Sequence, residues 1–222
     1  LQTETGKIIA VWGPSGSPGK TTIALGLAGE LADNGKGVTF VDLDLAASST
    51  GVMLGLGDGP VGIAAAARLV GHSRFDADQF QRLSVEVPVG KCSFRLLAGL
   101  ASAERWPEIA VDRAEEILAV AAENSDFVIV DLSSSLEANL RHSITGLERN
   151  AVTWQVLQNA QQVITICSAD PVGIARYLRE VSALQALRPQ GQLLCVVNRL
   201  RTSVLGSSAK QQIAETLGRL AQ

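Results

Sequence analysis

The sequence predicts an α/β fold, a mostly parallel central sheet with helices on both faces, and three observations carry that expectation. Short runs rich in Val and Ile alternate with segments of helical length, and the runs are almost wholly apolar, as strands covered on both faces must be. A glycine-rich turn joins the first such run to the first helical segment. Polar side chains fall at or just beyond the ends of the runs, on the edge where an open parallel sheet takes its ligands.

The elements follow in order. Ile8-Ile9-Ala10-Val11-Trp12 reads as a buried strand and Thr21–Asp33 as the helix behind it. Gly37–Val41 is the next strand and exits at Asp42; helices are expected over Val61–Val70 and Asp76–Leu83. Cys92–Leu97 is a strand preceded by a glycine turn, Val111–Glu123 a helix, and Phe127–Val130 a strand that exits at Asp131. Ala151–Asn159 and Pro171–Leu187 read as helices on either side of the strand Val163–Cys167, which ends near Asp170. Leu193–Val197 exits at Asn198, and Ala209–Leu220 closes the chain as a helix. No linker, repeat or low-complexity stretch divides the 222 residues, so one domain over 1–222 is expected. The first residue is Leu, and the chain is expected to be a piece of a longer protein.

Composition narrows the function classes. No apolar run approaches the ~20 residues that cross a bilayer, and no signal peptide is visible. Cys92, Cys167 and Cys195 sit among apolar residues without CxxC spacing, which predicts buried, inert thiols in a reducing cytoplasm. His72 and His142, far apart, give histidine catalysis no support. The net charge of −3 divides unevenly: residues 1–140 hold 10 Lys/Arg against 18 Asp/Glu, and residues 141–222 hold 9 against 4. Arg176, Arg179, Arg188, Arg199 and Arg201 lie in the basic part. A solvated helical face is the expected meaning, with weak, non-specific, salt-sensitive DNA binding as the functional alternative.

The chemistry concentrates at Gly-Pro-Ser-Gly-Ser-Pro-Gly-Lys-Thr-Thr, residues 13–22. Strand, glycine turn and helix together are the layout of a phosphate-binding loop. Glycines let the backbone curl until successive N–H groups and the helix start point at an anion. Gly16, Ser17, Pro18, Gly19, Lys20, Thr21 and Thr22 form the candidate nucleotide-binding set, with Lys20 at the β- and γ-phosphates and the Thr21 hydroxyl on Mg²⁺. The pattern departs from the usual loop at Pro14, where a glycine is wanted, and Pro18 removes one N–H. Phosphoanhydride hydrolysis also needs a cation across the phosphates and an oriented water. Asp42 and Asp131, at strand exits, suit Mg²⁺, and Asp44, farther out, suits the water. Lys20 and Asp44 are the candidate catalytic residues, with ATP and Mg²⁺ as ligands.

This loop, with V-D-L-D-L-A-A-S-S-T-G-V-M-L-G-L at 41–56, F-V-I-V-D-L-S-S-S-L at 127–136 and V-V-N-R at 196–199, resembles the MinD/ParA superfamily of ATPases. It is most like the CpaE/TadZ branch and, within it, actinobacterial MinD-like proteins with a W-G-P-x-G-x-P-G-[RK]-T-T loop and an R-W-P-E segment like Arg105–Glu108. The resemblance runs from about Lys7 to Leu220 and implies a slow ATPase that positions cargo: plasmid or chromosome, division site, or pilus machinery. It implies that Lys20, Thr21 and Thr22 hold phosphate and Mg²⁺, that Asp44 is tied to hydrolysis and that Asp131 is the switch aspartate. Asn198, with Arg199 beside it, would contact the base. It also implies an ATP-sandwiched homodimer and a protein partner in the positioning machinery.

Two departures bear on turnover. The family's signature lysine, which reaches the partner subunit's phosphates, falls at Ser15, and Ser133 stands where the switch usually has proline. A scaffold that holds ATP without useful turnover is therefore the alternative. A small-molecule ligase or kinase on the same fold would need an acceptor pocket that no motif specifies, and a nitrogenase-reductase-like role lacks paired cluster cysteines. The last helix places Ile213, Leu217 and Leu220 on one face with only Lys210 and Arg219 as cations, which predicts packing on the sheet rather than on a membrane.

Overall fold

The computed structural model describes residues 5–16, 18–56, 62–138, 148–201 and 209–218. Strand β1 (Lys7–Trp12) leads into helix α1 (Lys20–Asp33), followed by β2 (Val38–Leu43), α2 (Thr50–Met53), α3 (Ile63–Val70) and α4 (Ala77–Leu83). A hairpin of β3 (Val85–Val89) and β4 (Cys92–Leu97) precedes a 3₁₀ turn at Ala103–Glu108, then α5 (Val111–Glu123) and β5 (Phe127–Leu132). The chain continues through α6 (Ala151–Asn159), β6 (Gln162–Ser168), α7 (Pro171–Ala186), β7 (Gln192–Asn198) and α8 (Ala209–Gly218).

Seven strands form one sheet in the order β3-β4-β2-β5-β1-β6-β7, parallel at every pairing except β3–β4. Side chains alternate across the sheet, so β1 sends Ile9 and Val11 into one core and Ala10 and Trp12 into the other. On the first face α1 lies flat because its buried residues, Ala24, Ala28 and Ala32, are small and recur every fourth position. On the second face α3, α5, α6 and α7 cover Val41, Leu43, Val128, Val130 and Val163 with Ile63, Ile117, Val156 and Leu184. Ile213 of α8 is buried and Leu217 packs against this second core. Leu220 and Arg219 lie outside the described residues, as does Val61, so the third helix is seen from Ile63. Among the described residues no helix is long and apolar enough to cross a membrane.

The structure departs from the sequence reading at the sheet edge, in short turns such as α2, and at the thiols. Val-Glu-Val-Pro-Val at 85–89 is a strand at the sheet edge, where Pro88 forgoes its N–H on the open side without breaking a ladder. Arg-Trp-Pro-Glu at 105–108 forms a 3₁₀ turn clamped by two parallel bonds, Arg105 Nε to Glu108 Oε1 (2.6 Å) and Nη2 to Oε2 (2.9 Å). The expectation of three buried thiols is corrected: Cys167 is buried, but Cys92 and Cys195 are exposed. Cys92 opens the edge hairpin and Cys195 lies on β7, the opposite edge, whose first four residues are all exposed.

Candidate functional site

The parallel strands bring their C-terminal ends to one edge. Asp42 and Asp131 are register partners on β2 and β5, Val11 of β1 pairs with Asp131, and Ser168 of β6 pairs with Asn198 of β7. The loop after β1 enters α1 through Gly19, whose φ of 90° is left-handed, a conformation that glycine adopts without strain. Among the described residues no side chain caps this helix, so the first N–H groups of α1 remain directed at the loop.

Lys20, the first residue of α1, is buried at the centre. Its Nζ donates to Asp131 Oδ1 at 2.7 Å and to Asp44 Oδ2 at 3.0 Å. The Thr21 hydroxyl donates to the other Asp131 oxygen at 2.5 Å. Asp44 Oδ1 accepts from the Ser133 hydroxyl at 3.2 Å and from the N–H groups of Ala46 (3.2 Å) and Ala47 (3.0 Å). Asp42 is fully enclosed: it accepts the Asp44 N–H at 3.0 Å, the Ser48 hydroxyl at 2.8 Å and the Thr50 hydroxyl at 2.6 Å. Asp42 therefore organises the turn that carries Asp44, and its oxygens are engaged by neighbours from 44 to 50.

Electrostatics follow from this burial. Burial alone would lower the Lys20 pKa, but Asp131 and Asp44 outweigh it and hold the ammonium above the ordinary lysine value. For Asp131 burial wins: its carboxyl is pushed up to about 6, with Asp42 adding to the rise and Lys20 opposing it. Among the described residues, three buried carboxylates, Asp42, Asp44 and Asp131, thus gather around a single ammonium. That surplus of negative charge fits a divalent cation, and the left-handed glycine turn with its uncapped helix start fits an anion beside it.

The far end of the loop is tied to β7. Asn198 Nδ2 donates to the Pro18 carbonyl at 2.8 Å, and a Cβ at Gly19 would collide with that amide. Asn198 Oδ1 accepts the Arg199 N–H at 2.8 Å, while Arg199 itself is exposed with a φ of 59°. Thr22 is exposed on α1, and Gly16 (φ 102°) is exposed at the loop crest. Ser17 lies outside the described residues.

The structure thus brings Lys20, Thr21, Asp44 and Asp131 into direct contact, with Asp42 behind them and Asn198 on the loop. Asp170 stands apart, capping α7 through the Gly173 N–H at 2.9 Å and held below the usual carboxylate range by the Ser168 hydroxyl. Sequence reasoning missed two α7 residues at the loop crest. Glu180 lies beside the Ser15 N–H, and the Arg176 guanidinium occupies the space where a Gly16 Cβ would go. It also missed Ser48 and Thr50, although hydroxyls at 48–50, just after Asp42 and Asp44, were a visible sign of a carboxylate-organised turn.

A phosphate-loop α/β domain, with six parallel strands and β1 in the interior between β5 and β6, is the class this fold defines. The CobQ/CobB/MinD/ParA nucleotide binding domain family matches residues 9–220, and the chain belongs to that family. Among solved structures the fold is similar to a ParA family ATPase from Chlorobium tepidum TLS (TM-score 0.69, 18% identity, 96% of this chain and 81% of that one). It is also similar to the septum site-determining protein MinD from Pyrococcus horikoshii OT3, complexed with Mg-ADP (TM-score 0.67, 16% identity, covering 95% and 77%). A third is cobyrinic acid a,c-diamide synthase from Mycobacterium smegmatis (TM-score 0.65, 17% identity, covering 96% and 81%). No curated protein matches the chain.

Proposed function

We propose that this chain binds ATP with Mg²⁺ on the 13–22 loop and hydrolyses it slowly, as a cytoplasmic MinD/ParA-like switch that positions cargo or machinery, in the manner of the CpaE/TadZ branch. The observation that carries the reading is the Lys20 ammonium held between Asp44 and Asp131, with the Thr21 hydroxyl on Asp131. Lys20 is the phosphate cation; Thr21 and Asp131 are the residues that would hold Mg²⁺, with Asp42 fixing the turn behind them. Mg²⁺, when bound, supplies neutralising charge across the β- and γ-phosphate oxygens. Asp44 orients the attacking water, since its carboxylate is positioned by the Ser133 hydroxyl and two backbone N–H groups. Asn198 carries the base side of the loop, with Arg199 following it, a reading supported by the Asn198 bond to the Pro18 carbonyl.

A second reading, a scaffold that holds ATP without useful turnover, is favoured by Ser15, which brings no cation to a partner's phosphates. A homodimer, a protein partner and weak DNA contact by the basic C-terminal part belong to the first reading. Exposed free thiols at Cys92 and Cys195 suit a reducing compartment. Turnover measured with and without Mg²⁺, together with oligomer mass in a non-hydrolysable ATP analogue, tests both. Mg²⁺-dependent hydrolysis and an analogue-induced dimer support the switch; binding with no turnover, even with partners present, leaves the scaffold.

A further inference from the structure

The strand order puts an unexpected cation at the phosphate loop. Helix α7 leaves β6, and β6 lies beside β1, so the N-terminal half of α7 runs along the loop that leaves β1. The left-handed turn at Gly16 leaves the crest of that loop open on the α7 side, and there the Arg176 guanidinium sits, its Cζ 3.1 Å from where a Cβ would stand. One helical turn farther on, the half-buried Glu180 carboxylate lies beside the Ser15 N–H and attracts Arg176 and Arg179. Two consecutive loop residues are thereby engaged by two residues of one helix face, spaced i and i+4.

Lys20, the phosphate cation of the reading above, is the other cation of the loop, and it is buried beside Asp44 and Asp131. Ser15, at the crest, is exposed and uncharged. Arg176 is exposed, so its side-chain bonds can turn from Gly16 toward an anion above the loop while α7 stays fixed. A guanidinium is always charged and offers parallel N–H donors that match two phosphate oxygens at once.

We propose that Arg176 supplies in cis, at the terminal phosphate of a bound nucleoside triphosphate, the positive charge that Ser15 does not. This rests on the nucleotide-binding reading above and specifies it: the site distinguishes triphosphate from diphosphate through a side chain on α7. Glu180 is the positioning residue, holding the crest and the guanidinium in register.

The test is equilibrium titration of the whole chain with the Mg²⁺ complexes of a non-hydrolysable ATP analogue and of ADP. Arg176→Ala should weaken the triphosphate analogue about ten- to a hundredfold, the size of one charge-assisted contact, and ADP by no more than a few-fold. Arg176→Lys should recover part of the difference, and Ser15→Lys placed in the Arg176→Ala chain should restore the triphosphate preference. Should Arg176→Ala fail to fold, Arg176→Gln, which keeps most of the stem, is read in its place. Nucleotide binding by the wild-type chain is the control. Equal weakening of both nucleotides by the Arg176 variants, or none, overturns the proposal when wild type binds both. No binding of either nucleotide by wild type overturns the loop as a nucleotide site, and the role of Arg176 with it.

Discussion

Replacing Lys20 by Ala should unfold part of what it touches before any question of ligand arises. The ammonium is the shared partner of Asp131 (2.7 Å) and Asp44 (3.0 Å), and all three side chains are buried. Removing one member of a buried ion pair strands its partner, at a cost of about 3–5 kcal/mol. Here two carboxylates are stranded, beside the already buried Asp42. Against a total stability of about 5–15 kcal/mol for a folded domain, the loss is severe. The assay is urea unfolding of the nucleotide-free protein in a chelator at pH 8, where the midpoint should fall by roughly 1 M or more. At pH 5 the gap between variant and wild type should narrow, because Asp131, already at about 6 with Lys20 present, then takes up a proton in the variant. Adding Asp131→Asn to Lys20→Ala should recover part of the lost stability at pH 8. Equal midpoints for Lys20→Ala and wild type at pH 8 would refute the reasoning, since the lysine would then not be neutralising buried charge.

Three further outcomes are expected. Asp44→Ala should retain ATP-analogue binding and lose Mg²⁺-dependent turnover, measured by phosphate release; retained turnover would remove Asp44 from the reaction. The raised pKa of Asp131 makes its contribution to stability complete below about pH 4 and lost as pH rises through about 6. Asp131→Asn should therefore flatten the decline in metal-free stability across that window, and an unchanged pH profile would place the burial penalty elsewhere. Gly19→Ala should weaken nucleotide binding and lower the melting temperature together, because the added methyl meets Asn198 in a left-handed backbone (φ 90°), a loss on the order of 1 kcal/mol or more.

Much of the fold was legible because buried parallel strands are continuous apolar runs, and Ile8–Trp12, Phe127–Val130 and Val163–Cys167 are such runs with polar stops. Val85–Val89 was not, since an edge strand with one partner tolerates Glu86 and Pro88 and so loses the pattern. Cys195 misled for a related reason: Leu-Leu-Cys-Val-Val reads as interior, but β7 is an edge strand and its first residues are uncovered. At the site, Lys20, Thr21, Asp44 and Asp131 could be named from short local patterns. Arg176 and Glu180 could not, because nothing local in α7 says that its neighbour is the loop after β1. That adjacency comes from β6 pairing with β1 rather than with β5, which precedes it in sequence.

The placement of β1 has a consequence for biosynthesis. Among the described strands it is made first, yet its neighbours are β5, from Phe127, and β6, from Gln162, and the loop behind it is fastened by Asn198 to Pro18 across 180 residues. At a synthesis rate of about 5–20 residues per second, that last contact comes within reach about 10–40 s after Pro18 is added. Until Phe127 is added, Ile8 to Trp12 is an apolar strand with neither lateral partner yet synthesised. A ribosome that stalls before Phe127 therefore leaves this segment exposed and sticky on the nascent chain, a stretch that holding chaperones would need to cover.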